Sequence, residues 1–441
     1  MDLQIADEQR QTEVGSYFVA NYPPFSAWAP DHLPAFVSAL DSPAAADSAP
    51  LGLYLHIPFC RKRCKFCYFR VYTDRNSGDV DVYLKALAKE AELYAGRPAL
   101  QGRSFDFVYF GGGTPSFLSS EQLLRLIDRI SEHWLWEKAR EVTFECEPGT
   151  LKKSKLETIK EIGTTRLSLG VEHFDDEVLA IGGRAHRSPE IFVAYDWARE
   201  VGFPQINIDL IAGMVGDSDA KWRETVAKAI ALDPDSVTIY QMEVPHNTVI
   251  AQEAKRQGAT TPVPSWATKR AWVDYAFCEF EQAGYAVSSG YTLYKPSKHQ
   301  EFIYRDALWH GADLIGTGVA SFGHLTGVHY QNLDSWEDYV GALLGRGELP
   351  LSRALPISEH QRLIREMILQ LKLGRLDAGY FRRKFGAEVA KEFADGFESL
   401  MGEGSAEIKG DEIRLTRTGL LRVDSLLPRF FEPTYRNVRY T

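Results

Sequence analysis

From residue 51 onward the chain alternates short apolar runs with longer stretches of helical period, and this alternation constrains its fold more than any other feature. The apolar runs fall at 51–57, 105–110, 141–145, 166–170, 206–211 and 236–240. Helical patterns fill 80–94, 121–133, 155–162, 189–201 and 221–232, and another follows the sixth run at 266–283. A crossover helix returns the chain to the same edge of a sheet, so strands joined this way run parallel. The expectation is an α/β fold, a partial (β/α)6 TIM-like barrel whose active-site face lies at the C-terminal ends of its strands.

The flanks read differently. Residues 1–50 combine an aromatic, proline-rich stretch carrying Tyr17, Phe18, Tyr22, Phe25 and Trp28 with an Ala/Ser/Pro/Asp segment at 42–50. The first suits a lid over a flat apolar ligand or an extension that caps the core, and the second a linker. The barrel and its extension are expected over 51–350, with the glycine-rich 311–327 read as turns or as close approach to a ligand. Residues 351–441 read as a helical, winged-helix-type domain. Helical patterns at 357–373, 380–385 and 389–401 precede a hairpin, EIKGDEIRLT, that turns at Gly410–Asp411. This module suits a cover or substrate-docking element.

Charge and cysteine usage narrow the function classes. Fifty Lys+Arg against sixty Asp+Glu give a formal charge of -10, which argues against nucleic acid or an anionic membrane as partner. No stretch approaches the ~20 apolar residues of a membrane span, and the acidic start MDLQIADEQR is unlike a signal peptide, so a cytoplasmic location is expected. Of five cysteines, Cys60, Cys64 and Cys67 fall within eight positions directly after the first strand. Such clustering in a reducing compartment points to a metal or redox site.

Three thiolates on one loop can ligate three irons of a [4Fe–4S] cluster and leave the fourth open. Zinc with Cys146 or a histidine as fourth ligand is an alternative, as is a redox pair at Cys64 and Cys67. Arg61, Lys62, Arg63 and Lys65 are expected to lower the thiol pKa values and offset cluster charge. Cys146 and Cys278 read as structural.

The C-x3-C-x2-C spacing, with Phe66 before the last cysteine, resembles the radical S-adenosylmethionine (SAM) superfamily. The flanking YLHIPFC resembles more narrowly the oxygen-independent coproporphyrinogen III oxidase-like family, which also includes heme chaperones, heme-degrading enzymes and radical methylases. The resemblance spans about 51–431. It implies a [4Fe–4S] cluster on Cys60, Cys64 and Cys67, with SAM chelating the remaining iron. It also implies a flavodoxin- or ferredoxin-type electron donor and reductive cleavage of SAM to a 5'-deoxyadenosyl radical. Phe66, Gly112, Gly113 and Thr114 then fall at SAM-contacting positions, the glycines because bare backbone can approach the methionyl amine. Glu145, Glu172, Arg184 and Asp209 fall where the family contacts SAM hydroxyls or carboxylate. Tyr54 and His56, two residues apart on one strand face, are the candidate catalytic pair, with a core hydrogen bond as their competing role.

Three departures from named relatives stand out. Phe69 replaces a further cysteine of the coproporphyrinogen oxidases, and Glu172, in GVE, replaces a glutamine in their GVQ motif. Where heme chaperones carry HN-x-x-YW, this chain reads Arg305-Asp306-Ala307-Leu308-Trp309, with His299, His310, His324 and His329 nearby. The nearest-relative reaction is oxidative decarboxylation of a tetrapyrrole-type substrate. The alternatives are methylation or cyclopropanation of a flat unsaturated substrate with two SAM molecules, and heme carriage by a chaperone.

Overall fold

The computed structural model describes residues 18–45, 48–298 and 301–436. Each of the six apolar runs is a strand: β1 Leu51–Ile57, β2 Phe105–Gly112, β3 Glu141–Cys146, β4 Arg166–Glu172, β5 Gln205–Ala212 and β6 Ser236–Gln241. They pair in chain order and all in parallel, as the crossover helices require. In β1 the leucines and Ile57 are buried on the helix side while Tyr54 and His56 point into the barrel. Gly52 is needed because a Cβ there would lie 1.9 Å from the Phe107 ring.

The helices begin where local chemistry supplies caps. Ser119 and Gln122 form a capping box at the start of Ser120–Ser131, and Asn76 and Asp79 do the same for Ser77–Ala95. The first of these helices buries Leu123, Leu126 and Ile130, the stripe its period predicts.

The sheet is wider than the alternation implies. Beyond β6 it adds β7 Ala286–Val287 and β8 Thr292–Tyr294. Beyond β1 it continues through β9 Asp313–Thr317, which is parallel, and then the antiparallel β10 Phe322–Leu325, β11 Val328–Asn332 and β12 Leu351–Pro356. The reading of 311–327 as turns holds at Gly311, Gly318 and Gly327, all at positive φ, and is corrected for 313–317 and 322–325, which are strands. Their glycines permit close packing inside strands: a Cβ on Gly316 would meet the Phe322 carbonyl at 1.9 Å, and one on Gly323 the Tyr330 ring at 2.3 Å.

A second core forms around Glu359–Leu371, Ala378–Phe385 and Ala394–Gly402, with Met367, Phe381, Phe397 and Phe430 inside. The helical pattern over 389–401 divides at Phe393 into Val389–Glu392 and Ala394–Gly402. Strands β13 Arg375–Asp377, β14 Ala406–Lys409 and β15 Glu412–Leu415 form a small antiparallel sheet with Gly410 (φ +63°) at the expected turn. The N-terminal aromatics join these cores. Tyr22 is fully buried and donates to Glu432 (3.1 Å), and Trp28 stacks on His329 at 5.0 Å. Capping is therefore what Tyr22 and Trp28 do; Phe18 reaches Tyr240 and Tyr291; Tyr17 lies outside the described residues. Among the described residues no helix is long and apolar enough to cross a membrane.

Candidate functional site

The cysteine loop leaves β1 at Pro58 and is closed at its neck. The Cys60 N–H donates to the Tyr72 carbonyl (3.0 Å) and the Tyr72 N–H to Pro58 (2.8 Å). Inside it, the Cys67 N–H donates to the Cys64 carbonyl (3.1 Å), and the Lys65 N–H pins the loop to Gly182 (2.9 Å). Phe66 packs against that same Gly182, where a Cβ would stand 3.6 Å from its ring. Cys60 Sγ lies 3.4 Å from Thr114 Oγ1, and Arg184 Nη1 donates to Cys64 Sγ at 3.5 Å.

The three thiols act electrostatically on one another. Burial pushes Cys60 up to about 12 and Cys67 up to about 11, and the neighbouring thiols add to it. The expectation that the basic loop would lower these values is therefore corrected. Arg61 is turned to Glu147 (3.3 Å) and Lys65 to Glu253 (3.3 Å), leaving Arg63 and Arg184 to offset burial only in part. Among the described residues no three His, Cys, Asp or Glu side chains gather as the close ligand set of one ion.

Beside the loop, β2 ends in Gly111–Gly113. Gly112 has φ +115°, and a Cβ on it would come within 2.6 Å of the His56 ring. The Gly113 N–H donates to the Ile57 carbonyl (2.9 Å), and a Cβ there would meet the Pro58 backbone at 2.8 Å. Bare backbone thus lies against the root of the cysteine loop.

The next three strands each contribute a carboxylate. Glu145 accepts from Tyr109 Oη (2.7 Å) and the Gly112 N–H (3.2 Å); Asp209 accepts from Ser168 (2.9 Å) and Asn207 (3.0 Å). Glu172 has φ +65°, a left-handed backbone that a non-glycine residue rarely adopts, and lies 3.5 Å from Arg184. Burial raises all three carboxyls, Glu145 and Glu172 to about 7, with Asp209 adding to both. Arg184 also donates to the Gly170 carbonyl (2.5 Å), yet its Nε is buried with no partner. Burial opposes its charge, but Cys64, Glu172 and Glu147 hold its pKa above the ordinary value.

Tyr54 Oη and His56 Nδ1 stand 3.2 Å apart, as their spacing on one face implies. Burial lowers His56 to about 4; the Arg70 carbonyl opposes this, but Nε2 has no partner at hydrogen-bond distance. All the sequence-derived candidates therefore gather along the C-terminal ends of β1–β5 and the cysteine loop. An unpartnered arginine nitrogen, an unpartnered histidine nitrogen and a backbone cradle fit a small ligand carrying carboxylate and hydroxyl groups, as SAM does.

Sequence reasoning missed several neighbours. Tyr109 lies on the inward face of β2, which a period-two reading could have found. Tyr304 packs against Tyr109 with tilted rings (centroids 4.2 Å), and His186 bonds Glu147 at 2.8 Å, both without local signal. Cys146 is buried, whereas Cys278 is exposed, so no core role accounts for it. His324 and His329 form a buried pair (2.9 Å) away from the cysteine loop, His310 bonds the Asp306 carbonyl (2.7 Å), and His299 lies outside the described residues.

The family model of the radical SAM superfamily matches residues 54–229. The chain is 30% identical over 380 residues to the heme chaperone HemW of Mycobacterium tuberculosis, covering 86% of this chain and 94% of that protein. It belongs to the radical SAM superfamily, in the family of HemW and oxygen-independent coproporphyrinogen III oxidase. To the latter enzyme from Escherichia coli it is 27% identical over 402 residues, covering 88% of this chain and 86% of the relative. The solved structure of Escherichia coli coproporphyrinogen III oxidase (HemN), described as a radical SAM enzyme, superposes with a TM-score of 0.82 at 26% identity over 94% of this chain and 96% of the other. The cofactors of this radical SAM protein are accordingly a [4Fe–4S] cluster and SAM.

Proposed function

We propose that this radical SAM protein is an enzyme that cleaves SAM reductively and acts on a flat, tetrapyrrole-type substrate at the mouth of its half-barrel. Cys60, Cys64 and Cys67 would hold the cluster, and Arg184, Glu145, Glu172, Asp209 and the Gly112–Thr114 backbone would hold SAM. When bound, the pair supplies a 5'-deoxyadenosyl radical able to abstract a hydrogen atom. The single observation that carries this reading is Arg184. It reaches Cys64 Sγ with one nitrogen and Glu172 with the same end, and keeps a buried Nε unspent, so it joins the thiol loop to the carboxylate row.

The chain's own groups have separable tasks. Arg184 presents a fixed positive charge to a carboxylate. Glu145 and Asp209 offer acceptor oxygens to hydroxyls, already oriented by Tyr109, Ser168 and Asn207. Tyr54 and His56 can pass a proton between Oη and Nδ1 at the floor of the mouth.

Oxidative decarboxylation is the reaction that the resemblance to coproporphyrinogen oxidases implies, but two residues set this chain apart. Phe69, 51% exposed, can neither donate a proton nor ligate iron, and Glu172 supplies no amide hydrogens. SAM cleavage with little or no conversion of coproporphyrinogen III is therefore the expected outcome. The test is anaerobic incubation of reconstituted protein with reductant, SAM and coproporphyrinogen III, with mass analysis of tetrapyrrole and nucleoside products. Efficient loss of two carboxyl groups would restore the decarboxylase reading, and formation of S-adenosylhomocysteine with a heavier product would turn it to methylation. The 30% identity to a heme chaperone favours one second reading, stoichiometric heme binding. Stable heme with no SAM cleavage would establish it. A cytoplasmic setting belongs to the same proposal.

A further inference from the structure

The inward face of β4 carries a cation that the site described above does not use. Arg166 opens the strand, and Ser168, Gly170 and Glu172 follow it on the same face. Register fixes its level in the sheet. Thr143 of β3 and Gln205 of β5 stand beside it, and Ser168, one step further along, stands beside Glu145 and Asn207. The guanidinium is 1% exposed and lies over the ring of Phe302, its Cζ 4.0 Å from the ring centre. It thus sits inside the barrel, beneath the carboxylate row and towards the N-terminal ends of the strands.

A buried cation is costly unless something answers it. Arg166 is in no ion pair among the described residues, and its Nε is buried with no hydrogen-bond partner. The carboxylate below it, Glu141, is spent on Thr143 (3.0 Å) and on the N–H groups of Ile303 (2.9 Å) and Tyr304 (3.2 Å). What remains is the row above. Asp209 turns back along β5, accepting from Ser168 Oγ (2.9 Å) and Asn207 Nδ2 (3.0 Å), both one step nearer Arg166. Burial raises the Asp209 carboxyl, and the charge of Arg166 is the strongest influence opposing it, ahead of those two hydrogen bonds and of Arg184. On Glu145 Arg166 acts in the same direction but more weakly than the hydrogen bonds from Tyr109 and the Gly112 N–H.

We propose that Arg166 is a positioning residue for SAM, a buried guanidinium whose charge acts through Asp209 and keeps it an acceptor for a hydroxyl of the ligand. The inference rests on the functional reading above, in which Asp209 and Glu145 meet those hydroxyls. The other groups facing Asp209 do not replace Arg166. Glu145 and Glu172 repel its charge, Tyr109 and Tyr240 face it as neutral phenols, and Arg184 is shared with Cys64 and Glu172. Without Arg166 the carboxyl takes up a proton nearer neutrality, and a protonated carboxyl has given up acceptor capacity.

The experiment measures the dissociation constant of SAM on reconstituted holoprotein between about pH 6.5 and about pH 9, in wild type, Arg166→Met, Arg166→Lys, Asp209→Asn and the combination of Arg166→Met with Asp209→Asn. Methionine keeps an apolar contact with Phe302 and removes the charge. Taken as a ratio to wild type at each pH, which cancels titrations common to both proteins, its Kd should be raised about tenfold at about pH 7 and return close to wild type by about pH 9, where the carboxyl ionises unaided. Lysine keeps the charge and should stay within about threefold of wild type throughout. In the Asp209→Asn background the methionine change should cost little more, because the group it acts through is gone. A ratio that does not vary with pH, or a full additional loss in that background, would overturn the proposal and leave Arg166 as a packing partner of Phe302. So would a lysine variant weakened about tenfold or more, an arm that decides the matter even where the methionine variant does not fold. Wild-type affinity in Asp209→Asn would instead defeat the assignment of Asp209 to SAM on which the inference rests, so the two failures are read on separate variants.

Discussion

At the C-terminal ends of β3–β5, Glu145, Glu172 and Asp209 share a buried space with Arg184. At the far edge of the sheet, Glu90, His324 and His329 are buried between β9–β11 and the segments that cover them. Glu90 accepts from the Gly318 N–H (2.8 Å), Asn332 Nδ2 (2.6 Å) and Tyr339 Oη (2.6 Å). His329 Nε2 lies 3.0 Å from the Tyr22 carbonyl, which assigns its proton to Nε2 and leaves Nδ1 to accept from His324 and from Asn21 (3.3 Å). There the titratable groups are spent on tying the N-terminal segment, a helix and three strands together. At the mouth, Arg184 Nε and His56 Nε2 are left over and Glu172 is held on left-handed backbone. Burial, a shifted pKa and an unpartnered polar atom (Tyr94 Oη and Asn332 Oδ1 at the far edge) are common to both regions; a charged unspent donor and strained backbone beside a thiol loop distinguish a site from a joint.

The comparison breaks most visibly at the cysteines. Cys64→Ala should abolish reductive SAM cleavage, measured as 5'-deoxyadenosine, while the thermal midpoint stays close to wild type. Retained cleavage, or native protein carrying zinc without iron, would remove the mouth from consideration as a radical site.

Arg184→Ala comes next. Loss of a charge-assisted contact of about 1.5–3 kcal/mol should weaken SAM binding about tenfold or more with the cluster retained. Unchanged binding together with a lowered thermal midpoint would show Arg184 to be a joint like Glu90.

Glu172→Gln carries the opposite sign. With its carboxyl at about 7, Glu172 is ionised above neutrality and holds Arg184; protonated below it, it releases the guanidinium. SAM affinity in wild type should therefore fall as pH rises through 7, and the glutamine variant should bind a few-fold more tightly at pH 8 with a flatter profile. Glu145 also titrates near 7, so a profile left unaltered in the variant would assign the pH dependence to Glu145.

The smallest effect sharpens the far edge. Burial pushes His329 down to about 3 and His324 well below its ordinary value, so the unfolded chain takes up protons first below about 6.5. Each histidine then costs about 1.4 kcal/mol of stability per pH unit on acidification. Glu90, raised to about 7, works the other way and gains stability as pH falls from 7 towards 4.5. Replacing His324 and His329 by asparagine should make the loss of thermal midpoint between pH 7 and 5 shallower. An unaltered slope would show that these histidines are protonated without unfolding.

The six parallel strands and their helices were legible because the signal is local: side-chain period and capping residues act within a turn or two of chain. The cysteine triad was legible for the same reason, since eight consecutive positions can occupy only one loop. Strands β9 and β10 were hidden because Gly316 and Gly323, which read as turns, serve contacts such as Gly323 beneath Tyr330 that no local pattern encodes. The same distance in sequence conceals Tyr304 on Tyr109, His186 on Glu147 and the meeting of Lys65 with Glu253. The sequence by itself therefore determined the barrel's strand order and the thiol chemistry at its first loop. Tertiary structure alone decided which charges are buried, which donors remain unspent and which way the basic loop residues turn, because burial and pairing depend on neighbours that arrive from strands and helices far along the chain.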